Sequence, residues 1–389
     1  QTEMPIPRLF AAGEITGGVH PLFGILFTLA LCLSIGPAFA IPRTGTVSFE
    51  IAVRPFLSPD ADYWAQIVFL IVFFLVTLWL SINPQKLVGR IGGILTPMLL
   101  TTIVVLIVKS LITPPGSPGS PTEAYATPAV ALQQGFIDGY NTLDALASFV
   151  FGILVIEFVT QHGATTRHEV MGATMRAGMI AIGCLGVVYV FIAGLGAASV
   201  EQLGILDTGA PVLAGSARLL FGEPGALILA VIVLLACLTT SIGLVTACAS
   251  YFHSQFGGLS YKGYAVAFVI ISFAVGTFGL KTIISAAVPV LMFLYPLAIV
   301  LIALAFLDSR FGSRRSVYAW TVGLTLISAL ISGLEAANIS LGAFGRFYGA
   351  HVPLHADGLD WIFFALAGFL IGCLNRRKST SSELITSGL

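Results

Sequence analysis

Charged residues are scarce in this sequence of 389 residues, since only 9% are Asp, Glu, Lys or Arg, against about 25% in an ordinary soluble domain. The 18 Lys and Arg residues balance the 18 Asp and Glu residues, so no surplus charge is available to attract nucleic acid. Hydrophobic residues make up 57% of the chain, and the mean hydropathy is +0.98. These values exclude a soluble or disordered chain and predict an integral protein of the lipid bilayer.

Cysteine pairs and enzyme motifs are also missing. The five cysteines lie inside apolar runs without CxxC spacing, so they predict small buried apolar groups instead of disulfides or a thiolate metal site. The sequence contains no P-loop, GxSxG or HExxH motif, and its six histidines are scattered over loops and the ends of apolar runs. We therefore expect neither an enzyme nor an ATP-driven pump, no organic cofactor and no obligate protein partner.

Long apolar runs are what the sequence has instead. A helix needs about 20 residues to cross the hydrocarbon core of a bilayer, and runs such as 68–76 do not alternate in polarity as barrel strands would. The predicted fold is therefore an all-α polytopic membrane protein, with one transmembrane domain over residues 1–389. About ten membrane-spanning helices are predicted, at 20–41, 64–83, 91–113, 142–160, 177–199, 225–252, 264–279, 283–307, 317–335 and 359–375.

Basic residues predict the orientation of these spans. Clusters at 314–315 and 376–378 fall in one set of alternate loops, whereas segment 113–135, rich in Pro, Gly and Ser, contains no Lys or Arg. Because Lys and Arg are retained on the cytoplasmic side, both termini are predicted to be cytoplasmic and segment 113–135 to be a flexible exterior loop. No signal peptide is evident, and a start at Gln1 instead of Met indicates that residues are absent upstream.

Three interruptions of the apolar runs indicate where function lies, because breaks in hydrocarbon are tolerated only where they line a cavity or pack against protein. The first is segment 36–46, GPAFAIPRTGT, in which Pro37 and Pro42 remove backbone donors. This segment fits a helix end followed by an exterior turn as well as it fits a functional break. Both interpretations stay open.

The second interruption is segment 138–145, DGYNTLDA, which precedes the apolar run 146–159. A single helix from Ala129 to Thr160 would be about 48 Å long, more than a membrane requires, so a broken helix is expected. A half-helix that starts near Asn141 to Asp144 would direct its partly positive N-terminus at a ligand in the break. The alternative is an ordinary helix cap at the membrane surface, where Asn and Asp are favoured.

The third interruption is a hydroxyl cluster in the middle of a span. Ala236, Thr239 and Thr240 share one helix face through i, i+3 and i+4 spacing. One carbonyl and two neutral hydroxyls could hold a small monovalent cation without a buried carboxylate. Alternatively, the hydroxyls bond to carbonyls of their own helix or join neighbouring helices. Glu157, a rare charged residue inside a span, is a secondary candidate for gating or proton coupling, with structural pairing as its other role.

Three segments closely resemble the branched-chain amino acid:cation symporter family, also called branched-chain amino acid transport system II carriers. They are residues 19–50, 139–147 and 238–244, and the resemblance covers essentially the whole chain. It implies a carrier of the amino acid–polyamine–organocation superfamily in a bacterial inner membrane. It also implies a LeuT-type core of two inverted five-helix repeats. The first span of this chain matches the third helix of the family, so the core is predicted to be truncated at the amino end and the chain to be a fragment.

The resemblance further implies roles for individual residues. The Ala236 carbonyl and the Thr239 and Thr240 hydroxyls would bind sodium as the coupling ion. Substrate would be bound at the broken helix and by an aliphatic contact one turn after Thr240, which gives the set Asn141, Thr142, Asp144, Ala145, Ser148 and Leu244.

The resulting expectation is sodium-coupled symport of leucine, isoleucine and valine into the cell by alternating access. Two alternatives remain. One is a proton-coupled carrier of another small neutral substrate, with Glu157 or Asp144 as the titrating group. The other is an inactive, truncated membrane scaffold.

Overall fold

The computed structural model describes residues 21–57, 62–82, 84–312, 314–355 and 357–375, and within these ranges all regular structure is helical. A π-turn at Ser34–Ala38 and short 3-10 turns at Arg54–Phe56, Glu123–Tyr125 and Gly139–Thr142 connect or extend the α-helices. In chain order the α-helices are α1 Pro21–Leu33, α2 Ala40–Ala52, α3 Asp62–Ser81, α4 Pro84–Ile112, α5 Pro128–Asp138, α6 Asp144–Gln161, α7 Arg167–Leu203, α8 Gly209–Phe256, α9 Tyr261–Gly276, α10 Leu280–Phe311, α11 Arg315–Ala336, α12 Gly342–His351 and α13 Asp360–Leu374.

The helices have the length and composition of membrane spans. Among the described residues, six helical stretches are long and apolar enough to cross a bilayer, namely Leu26–Phe56, Asp62–Ser81, His168–Leu203, Gly209–Phe256, Leu280–Asp308 and Arg315–Ala336. Each of the predicted spans overlaps a helix of the structure. The all-α prediction is thereby confirmed for the described ranges, whereas the number of crossings stays a prediction.

The first interruption is a kink inside a long helix. The π-turn Ser34–Ala38 contains Gly36 in a non-helical conformation (φ −81°, ψ −121°), and α2 follows it. Of the two interpretations of segment 36–46, the exterior turn is wrong, because residues 40–46 continue as helix α2. A Cβ atom at Gly36 would lie 3.0 Å from the Cys248 sulfur, so glycine lets the kink approach α8 closely.

The chain divides into two compact units. The first unit takes its described residues from Gln1–Cys32, Thr127–Leu146 and Ala286–Leu389, and the second consists of Leu33–Ala126 and Ala147–Ser285. Small and aliphatic side chains from five helices form a core of the second unit: Ile51, Leu106, Leu195, Ala210, Ala214, Ala217, Leu229, Val233 and Leu280. Each unit is therefore assembled from segments that are distant in the sequence.

In the first unit, α11 and α13 are in backbone contact through two glycines. A Cβ atom at Gly368 would lie 2.5 Å from the Trp320 carbonyl oxygen, and one at Gly372 would lie 2.5 Å from the Val317 Cα atom. The Ser316 hydroxyl also donates a hydrogen bond of 3.1 Å to the Gly372 carbonyl. Gly368 and Gly372 have the GxxxG spacing that brings membrane helices together.

The loop predicted at 113–135 is shorter than expected and is held in place in the second unit. Helix α5 begins at Pro128, so only residues 113–127 connect the flanking helices. The Ser117 N–H donates to the Glu201 carboxylate at 2.8 Å, and a Cβ atom at Gly116 would lie 2.9 Å from the Ala198 carbonyl oxygen. The Pro, Gly and Ser residues thus allow the loop to lie on the end of α7 instead of leaving it unattached.

The cysteines follow their prediction in part. Cys32 and Cys248 are buried and Cys237 and Cys373 are half-buried, but Cys184 is exposed on α7. That helix presents an apolar surface over most of its length, so an exposed cysteine there matches the apolar side chains around it.

Candidate functional site

The second interruption is a break between two helices. Helix α5 ends at Asp138, a 3-10 turn covers Gly139–Thr142, and α6 begins at Asp144. Between them Leu143 has a left-handed backbone with a φ of 66°, which is unusual for a leucine, and its side chain is buried. The broken helix predicted for segment 138–145 is therefore present.

Thr142 joins the two sides of this break. Its hydroxyl donates to the Gly139 carbonyl at 2.8 Å and accepts a long bond from the Asp144 N–H at 3.5 Å. The capping interpretation and the broken-helix interpretation thus both describe this segment, because a cap begins the second half of the broken helix. Thr142 is exposed, whereas Asn141, Asp144 and Ala145 are half-buried.

Two tyrosines that were not predicted as site residues lie at the break. Tyr140 stacks on Tyr295 of α10, with ring centroids 4.3 Å apart and ring planes 13° apart. The Tyr295 hydroxyl is next to the Thr142 side chain and to the backbone N–H groups of Leu143 and Ala145. The available sequence signal was the pair Tyr295-Pro296, a hydroxyl-bearing ring beside a residue that removes a helix hydrogen bond.

The half-helix α5 is tied to the segment between α12 and α13. The Gln133 side-chain amide donates to the Asp357 carboxylate at 3.1 Å and to its carbonyl at 3.3 Å. A Cβ atom at Gly358 would lie 3.5 Å from the Ile137 side chain. One side of the break is thus supported by residues more than two hundred positions away in the sequence.

A polar cluster surrounds the buried start of α13. Asp360 is fully buried and accepts hydrogen bonds from the Tyr348 hydroxyl at 2.7 Å and from the Ser332 hydroxyl at 3.4 Å. The two ring nitrogens of His355 lie 3.6 Å from Asp360 and 3.3 Å from Glu335. Burial and the hydrogen bond to Asp360 raise the pKa of Tyr348 above its ordinary value, so its phenol stays protonated and donates.

The third interruption brings three oxygens together on α8. The Thr239 and Thr240 hydroxyls both donate to the Ala236 carbonyl, at 2.8 and 2.9 Å. This is the arrangement in which hydroxyls bond to carbonyls of their own helix, one of the two that the spacing allowed. Each hydroxyl oxygen still has lone pairs for a cation after donating its hydrogen, so the sodium assignment stays a prediction. Thr239 is half-buried and Thr240 is exposed.

The remaining predicted residues differ from these groups in burial and in position. Leu244 is 2% exposed and packs inside the second unit, whereas Ser148 is exposed on α6. Glu157 falls on α6, but its side chain lies outside the described part of the structure. The candidates Asn141, Thr142, Asp144 and Ala145 belong to the first unit, and all others belong to the second.

A cleft of about 740 Å³, lined by charged and apolar side chains, opens in the second unit at the ends of several helices, and none of the predicted site residues lines it. Its charges pair with each other. Arg54 lies 2.7 Å from Glu50 and 2.9 Å from Asp62, and Lys281 lies 3.0 Å from Asp207. Because each cation already has a carboxylate partner, the cleft offers no net charge that would select a charged ligand.

Comparison with known proteins places this geometry in context. Residues 10–379 match the family model described as "Branched-chain amino acid transport protein". The chain is 44% identical to the branched-chain amino acid permease BraB of Bacillus subtilis over 91% of this chain and 79% of the relative. It is 44% identical to the permease BrnQ of the same organism over 92% and 81% of the two chains. It is 37% identical to a branched-chain amino acid transport system 2 carrier protein of Pseudomonas aeruginosa over 92% and 82%.

Proposed function

The chain belongs to the branched-chain amino acid transport protein family, and from this premise we propose that it carries leucine, isoleucine and valine into the cell together with sodium. It is a multi-pass membrane transporter and not an enzyme. The single observation that carries the proposed transport of branched-chain amino acids is the family match over residues 10–379; sodium coupling is the further part of the proposal. The sequence resemblance supplies the expectation of a bacterial inner membrane, and the distribution of Lys and Arg supplies the expectation that both termini are cytoplasmic.

The break at residues 139–143 supports a mechanism of alternating access. In many secondary transporters the substrate lies at a discontinuous helix near the middle of the membrane, where backbone groups and helix ends are available. The capped start of α6 at Asp144 supplies such a helix end. A substrate carboxylate is favoured at a helix N-terminus, while the aliphatic side chain requires an apolar wall.

The oxygens of Ala236, Thr239 and Thr240 support sodium as the coupling ion, because they are uncharged hard ligands and both hydroxyls lie within 2.9 Å of the Ala236 carbonyl oxygen. One sodium ion that enters down about 100 mV gains about 2.3 kcal/mol. A tenfold sodium gradient adds about 1.4 kcal/mol. Together they support a few-hundredfold accumulation of substrate at one sodium per amino acid.

Uptake of radiolabelled leucine into proteoliposomes tests the proposal. We expect an inward sodium gradient at constant pH to drive accumulation, and a matched potassium gradient to drive none. Valine, which is one methylene smaller than leucine, should compete within about 10- to 200-fold of it, because one methylene changes binding by about 1–3 kcal/mol. Isoleucine, an isomer of leucine, should compete as well. Uptake that is independent of sodium but driven by a pH step would show that protons, not sodium, are the coupling ion. A lack of leucine transport would overturn the proposal.

A further inference from the structure

The Tyr295 hydroxyl is a buried polar group that forms no well-aligned hydrogen bond with a described residue. Tyr295 is 3% exposed, and its hydroxyl has no hydrogen-bond partner among the described residues. Buried hydroxyls are nearly always hydrogen-bonded, because leaving one unpaired destabilises the protein. Several buried side-chain atoms of the described residues share this property, and the Tyr295 hydroxyl is informative because it lies beside the predicted binding site.

The ring is held in one orientation. Tyr295 stacks on Tyr140 with a centroid separation of 4.3 Å, and Tyr140 is itself 3% exposed. The Tyr140 hydroxyl lies next to the indole of Trp361, although it too forms no hydrogen bond with a described residue. Both rings are thus fixed by packing, and the Tyr295 hydroxyl lies next to residues of segment 142–145.

The groups around that hydroxyl suit one kind of ligand. The Thr142 side chain and the N–H groups of Leu143 and Ala145 lie near it, with the Asp144 carboxylate close by; the Leu143 N–H also donates to the Tyr140 carbonyl at 3.3 Å. A phenol donor next to a helix N-terminus favours an anion such as a carboxylate. The Asp144 carboxylate favours a cation and disfavours a ligand that carries negative charge alone. A zwitterion that presents its carboxylate to Tyr295 and its ammonium group toward Asp144 satisfies both.

We propose that Tyr295 is a substrate-binding residue whose hydroxyl donates a hydrogen bond to the carboxylate of the transported amino acid. This inference rests on the proposed function, because it requires an amino acid at the break. It adds to the site a residue from α10, whereas the sequence assigned substrate contacts only to α6, the break and α8.

Equilibrium binding of leucine to the purified protein in sodium buffer tests this role. Tyr295→Phe keeps the ring and the stack on Tyr140 but removes the donor. We expect it to weaken leucine binding by about 10- to 100-fold, the usual effect of losing a hydrogen bond to a charged group. Tyr318→Phe is the matched control, because Tyr318 is also buried but donates to Asp308 at 3.1 Å. This control should bind leucine as the unmodified protein does.

Leucinamide distinguishes carboxylate recognition from a general disturbance, because it lacks the carboxylate but retains the ammonium group and side chain. We expect leucinamide to bind the unmodified protein and Tyr295→Phe with the same low affinity. Equal leucine affinity in the two proteins, or equal losses for leucine and leucinamide, would overturn the role of Tyr295 and leave the proposed function intact. Failure of the unmodified protein to bind leucine would instead overturn the proposed function and this inference together.

A second variant covers the case in which Tyr295→Phe does not fold. O-methyltyrosine at position 295 retains the ring and its oxygen but cannot donate. It should show the same selective loss of leucine binding, and normal leucine binding by this variant would overturn the inference.

Discussion

Thr239 and Thr240 donate their hydroxyl hydrogens to the same carbonyl, that of Ala236, yet only Thr240 is exposed. A hydroxyl that merely saturates a carbonyl of its own helix can be removed at little cost, since the carbonyl keeps its other hydrogen bonds. A hydroxyl that binds a cation cannot. The two roles of these residues therefore differ in what their removal changes.

Thr240→Ala should raise the sodium concentration required for half-maximal leucine uptake by about tenfold or more, which corresponds to about 1.4 kcal/mol of lost binding free energy. Protein abundance in the membrane should change little. Thr240→Ser keeps the hydroxyl and serves as the matched control, which should restore sodium activation. Unchanged sodium activation in Thr240→Ala would remove the cation assignment.

Tyr348→Phe should lower the free energy of unfolding by about 1.5–3 kcal/mol, because it leaves the fully buried Asp360 without its shortest hydrogen bond. Thermal unfolding in detergent at fixed pH would measure the change. Tyr63→Phe is a suitable control, since Tyr63 is 60% exposed. This variant should unfold as the unmodified protein does. Equal loss of stability in both variants would show that Asp360 does not depend on Tyr348.

At the scale of elements, the lengths of the apolar runs in the sequence predicted most of the helices. Each predicted span overlaps a helix because backbone groups in hydrocarbon must be satisfied within the helix. The same length argument correctly predicted the break in segment 138–145, where a single helix would have been too long. It could not show whether segment 36–46 turns or kinks, because the close approach of Gly36 to Cys248 joins residues that are far apart in the sequence.

The contact between α11 and α13 leads to a prediction at this scale. Gly372→Ala places a methyl group 2.5 Å from the Val317 Cα atom, so the helices must separate, and we expect a loss of about 1–3 kcal/mol in unfolding free energy. Gly323→Ala on α11 is the matched control, because a Cβ atom there meets nothing within 4 Å. That control should be neutral or stabilising by up to about 1 kcal/mol.

These two variants are compared by thermal unfolding in the same detergent. An unchanged midpoint for Gly372→Ala would mean that α11 and α13 do not pack as closely as their glycines allow. The GxxxG spacing of Gly368 and Gly372 was visible in the sequence, but it did not identify α11 as the partner helix.

At the scale of the whole molecule, the predicted orientation can be tested with two engineered cysteines. Ser120→Cys lies in the predicted exterior loop and Gly258→Cys in a predicted cytoplasmic one, and both positions are exposed. In intact cells a membrane-impermeant maleimide should label residue 120 and should leave residue 258 unlabelled until the membrane is permeabilised. The native Cys184 is exposed and is replaced by Ser in both variants. The reverse pattern would invert the topology.

The candidate site residues were less predictable than the helices because several depend on contacts across long stretches of chain. Thr142 and Asp144 were predicted from a local pattern, and they do lie at the break. Tyr295 reaches the same break from α10, and Gln133 bonds to Asp357 beyond α12. No local pattern records such pairings, so only the assembled first unit reveals them.

Leu143 influences the stability of the break. Rewinding segment 139–143 into ordinary helix would relieve its left-handed backbone (φ 66°) but would also move a buried side chain out of its packing. Backbone preference and side-chain packing therefore oppose each other at this one position. A glycine at position 143 would remove both the backbone strain and the side-chain packing. The balance between the helical and the broken form of segment 139–143 therefore depends on the leucine itself.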